Sequence, residues 1–91
     1  MPVRNNPERS RYELYVDDDL LAIADYRVDG DVVVFPHTEV RPDQRGRGLG
    51  AELVRAALDD VRADGRRIVA HCWYVAEFVE HHPEYNDLVA A

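Results

Sequence analysis

From Arg11 the chain alternates: Tyr12, Leu14 and Val16 share one face and Arg11, Glu13 and Tyr15 the other, which predicts a half-buried strand. Asp17, Asp18 and Asp19 follow as an acidic turn, their short side chains suited to tight backbone geometry. A second strand is predicted from Leu20 to Val28, closed by the hairpin signal Asp29-Gly30, and a third, rich in β-branched residues, from Val32 to Val40. Pro36 interrupts the third. It lacks a ladder N–H and so marks an edge, a bulge or a parting of strands; a bulge or parting is the expectation.

The period then changes from two to that of a helix. Leu49, Leu53, Val54, Ala57, Leu58 and Val61 form an apolar stripe, with Arg55 and Asp59 as a weak pair on the outer face and Gly65 at the stop position. A short strand from Arg66 to Cys72 follows, holding Ile68, Val69 and Ala70. Tyr74 to His82 predicts a second helix with Val75, Phe78 and Val79 inward, stopped by Pro83. Residues 83–88 read as a closing turn packed through Tyr85 and Leu88. Trp73 is expected in the core with Phe78, and His81 and His82 are read as structural, at a helix end that favours imidazolium. The order β-β-β-α-β-α predicts an α+β domain with one mixed sheet: three antiparallel strands, a helix, and a fourth strand parallel to the third. Residues 1–9 read as a flexible lead-in and residues 10–91 as a single domain.

Composition narrows the function classes. The 91 residues carry 18 acidic against 11 basic side chains, a formal charge of −7, and every basic residue is arginine. Such a chain repels phosphate backbones and anionic membrane surfaces, so neither nucleic acid nor membrane is an expected partner. The polar stretch from Met1 to Ser10 does not have the pattern of a signal peptide, and a cytoplasmic location is expected. One cysteine, Cys72, allows neither an internal disulfide nor a four-thiolate zinc site. His37-Thr38-Glu39 has the His-x-Glu form of zinc deaminases without their Pro-Cys-x-x-Cys partner, and no metal is expected.

The chemistry concentrates in Arg41-Pro42-Asp43-Gln44-Arg45-Gly46-Arg47-Gly48-Leu49-Gly50, between strand and helix. The first turn of a helix has backbone N–H groups without internal partners, and glycine lets an anion approach them. Three arginines against one aspartate make this segment locally basic on an acidic chain, which predicts a phosphate or pyrophosphate site. The nucleoside-triphosphate loop is excluded, since it needs a lysine. Gly46-x-Gly48-x-x-Ala51 matches the dinucleotide fingerprint in form, but the strand bearing a ribose-binding acid is missing.

Arg45-Gly46-Arg47-Gly48-Leu49-Gly50 resembles the acetyl-CoA signature of the GNAT superfamily of N-acetyltransferases, Gln/Arg-x-x-Gly-x-Gly/Ala. The short length, with Cys72-Trp73-Tyr74-Val75 and His82-Pro83-Glu84-Tyr85, resembles its short single-domain, YjdJ-like branch. The resemblance implies a minimal GNAT-like fold with acetyl-CoA as co-substrate. It places the pyrophosphate on the loop Arg45, Gly46, Arg47, Gly48, Leu49 and Gly50, and backbone bonds from Val40 and Arg41 to the pantetheine arm. It also implies a parting of strands, which suits Pro36.

Transfer to an amine requires a base for the ammonium proton and a stabiliser of the leaving thiolate. His37 and Glu39, two apart on a strand, project from one face just before the loop, either as a base or as a solvent-facing polar pair. Cys72 is either a reacting thiol beside the thioester or a buried one. Tyr74 is either the acid, as superfamily members commonly use, or a core aromatic.

The expected function is acetyl-CoA-dependent N-acetyl transfer to an unknown, cationic amine acceptor by direct transfer. The alternative is an acyl-CoA-binding or protein-interaction module with little or no activity. A monomer or weak homodimer is expected. His71 has no assigned role.

Overall fold

The computed structural model describes residues 2–90 as a single five-stranded sheet in sequence order, packed with two α-helices. The strands are β1 (Val3–Asn6), β2 (Arg11–Val16), β3 (Asp19–Asp29), β4 (Val32–Val40) and β5 (Arg67–Ala70); the helices are α1 (Leu49–Ala63) and α2 (Trp73–His81). β1 to β4 pair antiparallel, and β4 pairs parallel with β5 through the α1 crossover. The α+β class and the parallel last strand are as the hydrophobic pattern requires. Met1 and Ala91, at the ends of the expected lead-in and domain, lie outside the described residues.

The lead-in is a correction. Residues 3–6 are a strand, in register with β2 from Val3↔Leu14 to Asn6↔Arg11. Only Val3 in that stretch is apolar, so its selection comes from pairing the open backbone groups of the β2 edge, which no hydrophobic pattern reports. The sheet therefore has five strands where four were expected.

The two hairpin turns obey backbone chemistry. Asp17 and Asp18 both take positive φ, 50° and 70°, between the paired residues Val16 and Asp19, the arrangement whose twist suits a tight hairpin. The second turn is Gly30-Asp31, one residue later than the Asp29-Gly30 signal, because Asp29 still pairs with Val32.

Along one sheet face Tyr12, Leu14, Ala22, Ala24, Val33, Phe35 and Ile68 meet the α1 stripe, where Leu53, Val54, Ala57, Leu58 and Val61 are all buried. Fully burying side chains of this size contributes about 1.5–3 kcal/mol each. α1 ends as Gly65 predicts: Gly65 N–H bonds to the Arg62 carbonyl at 3.0 Å and Arg66 N–H to Val61 at 3.2 Å, the paired bonds of a Schellman stop. Arg55 and Asp59 do not pair with each other; both meet the Tyr85 hydroxyl instead, at 3.2 and 2.7 Å, because the 3₁₀ turn at residues 83–88 lies over that helix face. Val16 and Trp73 are further corrections. Val16, last before the hairpin turn, is half-exposed, and Trp73 is 72% exposed, whereas Phe78 is buried.

The other face of the sheet carries polar residues. Glu13 is nonetheless only 4% exposed, held by Arg11 Nε at 2.7 Å, Tyr15 hydroxyl at 3.2 Å and Asn6 Nδ2 at 3.3 Å. Burial opposes its charge, but these donors outweigh it and hold the carboxyl below its ordinary range. After the 3₁₀ turn the chain returns to β5, where Ala90 N–H bonds to Ile68 at 2.9 Å and covers part of that sheet edge. No helix among the described residues is long and apolar enough to cross a membrane.

Candidate functional site

Pro36 produces both of its expected consequences. Between Asp25↔His37 and Arg27↔Val34, β3 advances by one intervening residue and β4 by two, so Phe35-Pro36 forms a bulge on β4. Pairing with β5 stops at Phe35↔Ala70, and the Phe35 carbonyl accepts the last bonds, from Cys72 N–H at 2.9 Å and His71 N–H at 3.1 Å. Beyond that point β4 continues along β3 alone while the other chain turns into α2. The two strands part.

Alternation then decides which backbone groups face the gap. Arg41 N–H bonds across to Leu21 at 2.8 Å, so the β4 residues two and four before it, Glu39 and His37, also bond towards β3. Thr38 and Val40 turn their N–H and C=O groups to the parted side. The Val40 backbone therefore has no hydrogen-bond partner on β3. Arg41 differs: its N–H is occupied, and its guanidinium is forked onto Asp43 at 2.9 and 3.1 Å.

The gap opens into a cleft of about 670 Å³, bounded by β4, the loop, the head of α1 and the head of α2. That volume suits a small-molecule site. His37, Glu39, Val40, Arg45, Gly46, Gly48, Leu49, Gly50 and Tyr74 all line it. Thr38, Gln44 and Trp73, the last expected in the core, line it as well without having been assigned a site role from the sequence. Thr38 was legible in principle, since it alternates with His37 and Glu39 beside a proline that parts the strands. Trp73 was not, because an apolar residue beside a helix start gives no sign of exposure.

At the head of α1, Gly48 is the N-cap residue with φ 75°, a conformation that costs a residue with a side chain about 1–2 kcal/mol. A Cβ on Gly46 or Gly48 would touch nothing within 4 Å, so the space in front of both is cleft, not packed protein. Gly50 is required for a different reason: a Cβ there would meet the hydroxyl of Tyr74. Among the described residues, none of the backbone N–H groups of residues 45–51 has a hydrogen-bond partner, the first bond of the helix being Glu52 N–H to Gly48 at 3.1 Å. Arg45, Gly46, Gly48, Leu49 and Gly50 line the cleft, at the positive end of the helix dipole. Arg45 lines it without an ionic partner among the described residues, whereas Arg47 is turned aside onto Gln44. Orphan amides, a free guanidinium and an open cradle fit a pyrophosphate.

The candidate catalytic groups fall into three places. His37 Nε2 and Glu39 Oε2 lie 3.3 Å apart on the cleft rim, both exposed. Tyr74 lines the cleft interior, and burial, aided by the Glu77 carboxylate, pushes its hydroxyl above the ordinary phenol range, so it stays protonated at neutral pH. Cys72 does not line the cleft; it is 7% exposed and donates its thiol to Thr38 Oγ1 at 3.7 Å. Burial disfavours its thiolate, but the Val75 N–H, the Thr38 hydroxyl and the Tyr74 and Thr38 N–H groups together hold the thiol below its ordinary value. Among the described residues no cluster of His, Cys, Asp and Glu suits a metal ion.

Comparison with known proteins places the chain in a family. Residues 11–88 match the family model of the GCN5-related N-acetyl-transferases. Protein NATD1 of Bos taurus is 34% identical over 87 residues, covering 90% of this chain and 76% of its own length. The Homo sapiens form is 32% identical with the same coverage. In fold, a GCN5-like protein of Staphylococcus aureus superposes with a TM-score of 0.74 at 23% identity, covering 98% of this chain and 87% of that one. The ribosomal-protein-S18-alanine N-acetyltransferase of Escherichia coli superposes with a TM-score of 0.64 at 25% identity, over 72% of this chain and 44% of that longer one. With residues 11–88 matched by the family model and a relative above 30% identity over most of its length, the chain belongs to the GCN5-related N-acetyltransferases.

Proposed function

We propose that the chain is an acetyl-CoA-dependent N-acetyltransferase for cationic amines, with CoA held in the cleft between β4 and α2. One observation carries this reading: the unpartnered N–H groups of Arg45, Gly46, Gly48, Leu49 and Gly50 belong to residues that line the same cleft as the unpaired edge of β4. The cleft-lining amides and Arg45 would hold the pyrophosphate, and the free backbone of Val40 would bond the pantetheine arm in strand fashion. Acetyl-CoA supplies an acyl group already activated as a thioester.

The residues divide the remaining work. The amine nitrogen must lose a proton as its bond to the acyl carbon forms, and the carbon–sulfur bond must break towards a thiolate that accepts one. The His37–Glu39 pair on the rim takes the first proton. Tyr74, protonated and inside the cleft, supplies the second. Cys72 lies behind Thr38 and supports its position. Among the described residues, Asp25, His37 and Glu39 lie outside the core cluster that packs on the helices, so a cationic amine on a peptide or polyamine reaches the rim from that side.

The test is release of CoA thiol on mixing the protein, acetyl-CoA and a panel of cationic peptides and polyamines, with the acetylated product identified by mass spectrometry. Turnover that falls in Glu39→Gln and Tyr74→Phe while acetyl-CoA affinity holds supports the assignment. Saturable acetyl-CoA binding with no transfer to any member favours the acyl-CoA-binding module. Absence of binding overturns the site itself.

A further inference from the structure

A smaller pocket, of about 210 Å³, meets the cleft at Glu39, which lines both. It lies on the sheet face turned away from the core cluster. Register fixes that face: Glu13 pairs with Ile23 and Ile23 with Glu39, while Arg11 pairs with Asp25 in the next row. Ile23, Leu20 and Pro42 give the pocket apolar walls, and two guanidiniums, of Arg11 and Arg41, line it as well. Each is held by a carboxylate. Arg41 is forked onto Asp43 through Nε and Nη2. Arg11 gives only its Nε, to Glu13 at 2.7 Å, and among the described residues neither of its terminal nitrogens has a hydrogen-bond partner. The mechanism above makes no use of Glu13, yet burying a carboxylate costs stability that an apolar side chain would not. Asn6 and Tyr15 fix the carboxylate, and the carboxylate fixes Arg11, whose side chain is 21% exposed with its terminal donors uncommitted.

We propose that this pocket takes a carboxylate of the acceptor, so that the chain acetylates amines that also carry an acidic group. Arg11 selects that group, and Glu13 is its positioning residue. The inference rests on the transferase reading above and narrows its cationic amines to this class. An amine delivered to Glu39 on the rim stands at the mouth of the pocket, and the remainder of the acceptor crosses Ile23 and Leu20 towards Arg11. The pocket is smaller than the site of a whole small-molecule ligand, so it admits one end of the acceptor. A carboxylate suits that end, because guanidinium donors match its two oxygens and a fork already held by Glu13 loses little freedom on binding. The second ammonium of a polyamine would instead meet two guanidiniums.

Two matched pairs of acceptors test this by CoA release: cadaverine against lysine, which differs by one added carboxylate, and the capped dipeptide Lys-Asn against Lys-Asp. The expected result is a preference of about tenfold or more in kcat/KM for the acidic member of at least one pair, carried by the acceptor KM. A gain in the first pair identifies a free amino acid as the acceptor, and a gain in the second an acidic peptide. Arg11→Lys keeps a charge beside Glu13 but removes the fork, and should bring the ratio close to one. Arg11→Gln should do the same, with circular dichroism checking the fold, and Glu13→Gln should lower the ratio through the acceptor KM. Equal or better use of the carboxylate-free members, or a preference that survives Arg11→Lys, overturns the proposal and leaves the transferase standing. Transfer to other amines but to neither acidic member also overturns it. No transfer to any amine removes the transferase reading and this inference together.

Discussion

The two halves of β4 are one strand in sequence and two different things in physics. Val32 to Val34 are paired on both sides, with β3 and β5, and Val33, Val34 and Phe35 are all buried. His37 to Val40 are paired on one side only, and Pro36, His37 and Glu39 are exposed. A single residue without an N–H divides them. Where pairing is complete the side chains decide stability; where it stops, the backbone itself becomes a binding surface. The comparison makes the two halves separately breakable.

The largest effect is expected from the paired half. Phe35→Ala removes a 1%-exposed ring that packs against Tyr12 and Tyr26, and should cost about 3–5 kcal/mol in chemical denaturation. On a domain this small that approaches the whole stability, so the cleft should be lost with the fold. On the unpaired side, Gly48→Glu should abolish measurable acetyl-CoA binding by calorimetry while circular dichroism keeps the helical signal. The added carboxylate enters the cradle, and strain at φ 75° costs only about 1–2 kcal/mol.

Glu39→Gln touches neither packing nor the cradle. It should lower kcat by about a hundredfold or more with KM for acetyl-CoA little changed, as removal of a general base does. The smallest effect concerns the uncovered sheet face. The Glu13 carboxyl is held below its ordinary value in the folded chain, so its contribution to stability is complete above about pH 4.3 and is lost as pH falls below that. Glu13→Gln should flatten the acid limb of the stability–pH curve. Identical acid limbs in both proteins would show that the network around Glu13 does not contribute.

Much of this was legible from residues. The α1 stripe, the stop at Gly65 and the glycine loop each follow from one local rule with one outcome, whereas the rule at Pro36 allowed three and the register with β3 chose the bulge. What was not legible depended on partners far along the chain. β1 is polar and is made a strand by the open edge of β2. Trp73 lies at the start of an amphipathic helix, and only the position of α1 determines that its ring stands outside. Arg41 looked equivalent to Val40 until the register with β3 assigned its N–H to Leu21. Arg55 and Asp59 were drawn apart by Tyr85, a residue 26 positions beyond Asp59. Local rules located the loop; non-local pairing decided which of its neighbours share the cleft.

The central claim is that the unpaired half of β4 and the head of α1 form one CoA site. Amide chemical shifts during an acetyl-CoA titration test it most directly, because they report the very N–H groups invoked. The account predicts large, saturable shifts at Gly46, Gly48, Leu49, Gly50, Thr38 and Val40, with Val33, Val34 and the β1–β2 pair nearly still. Saturable shifts elsewhere, or none at millimolar acetyl-CoA, would contradict it.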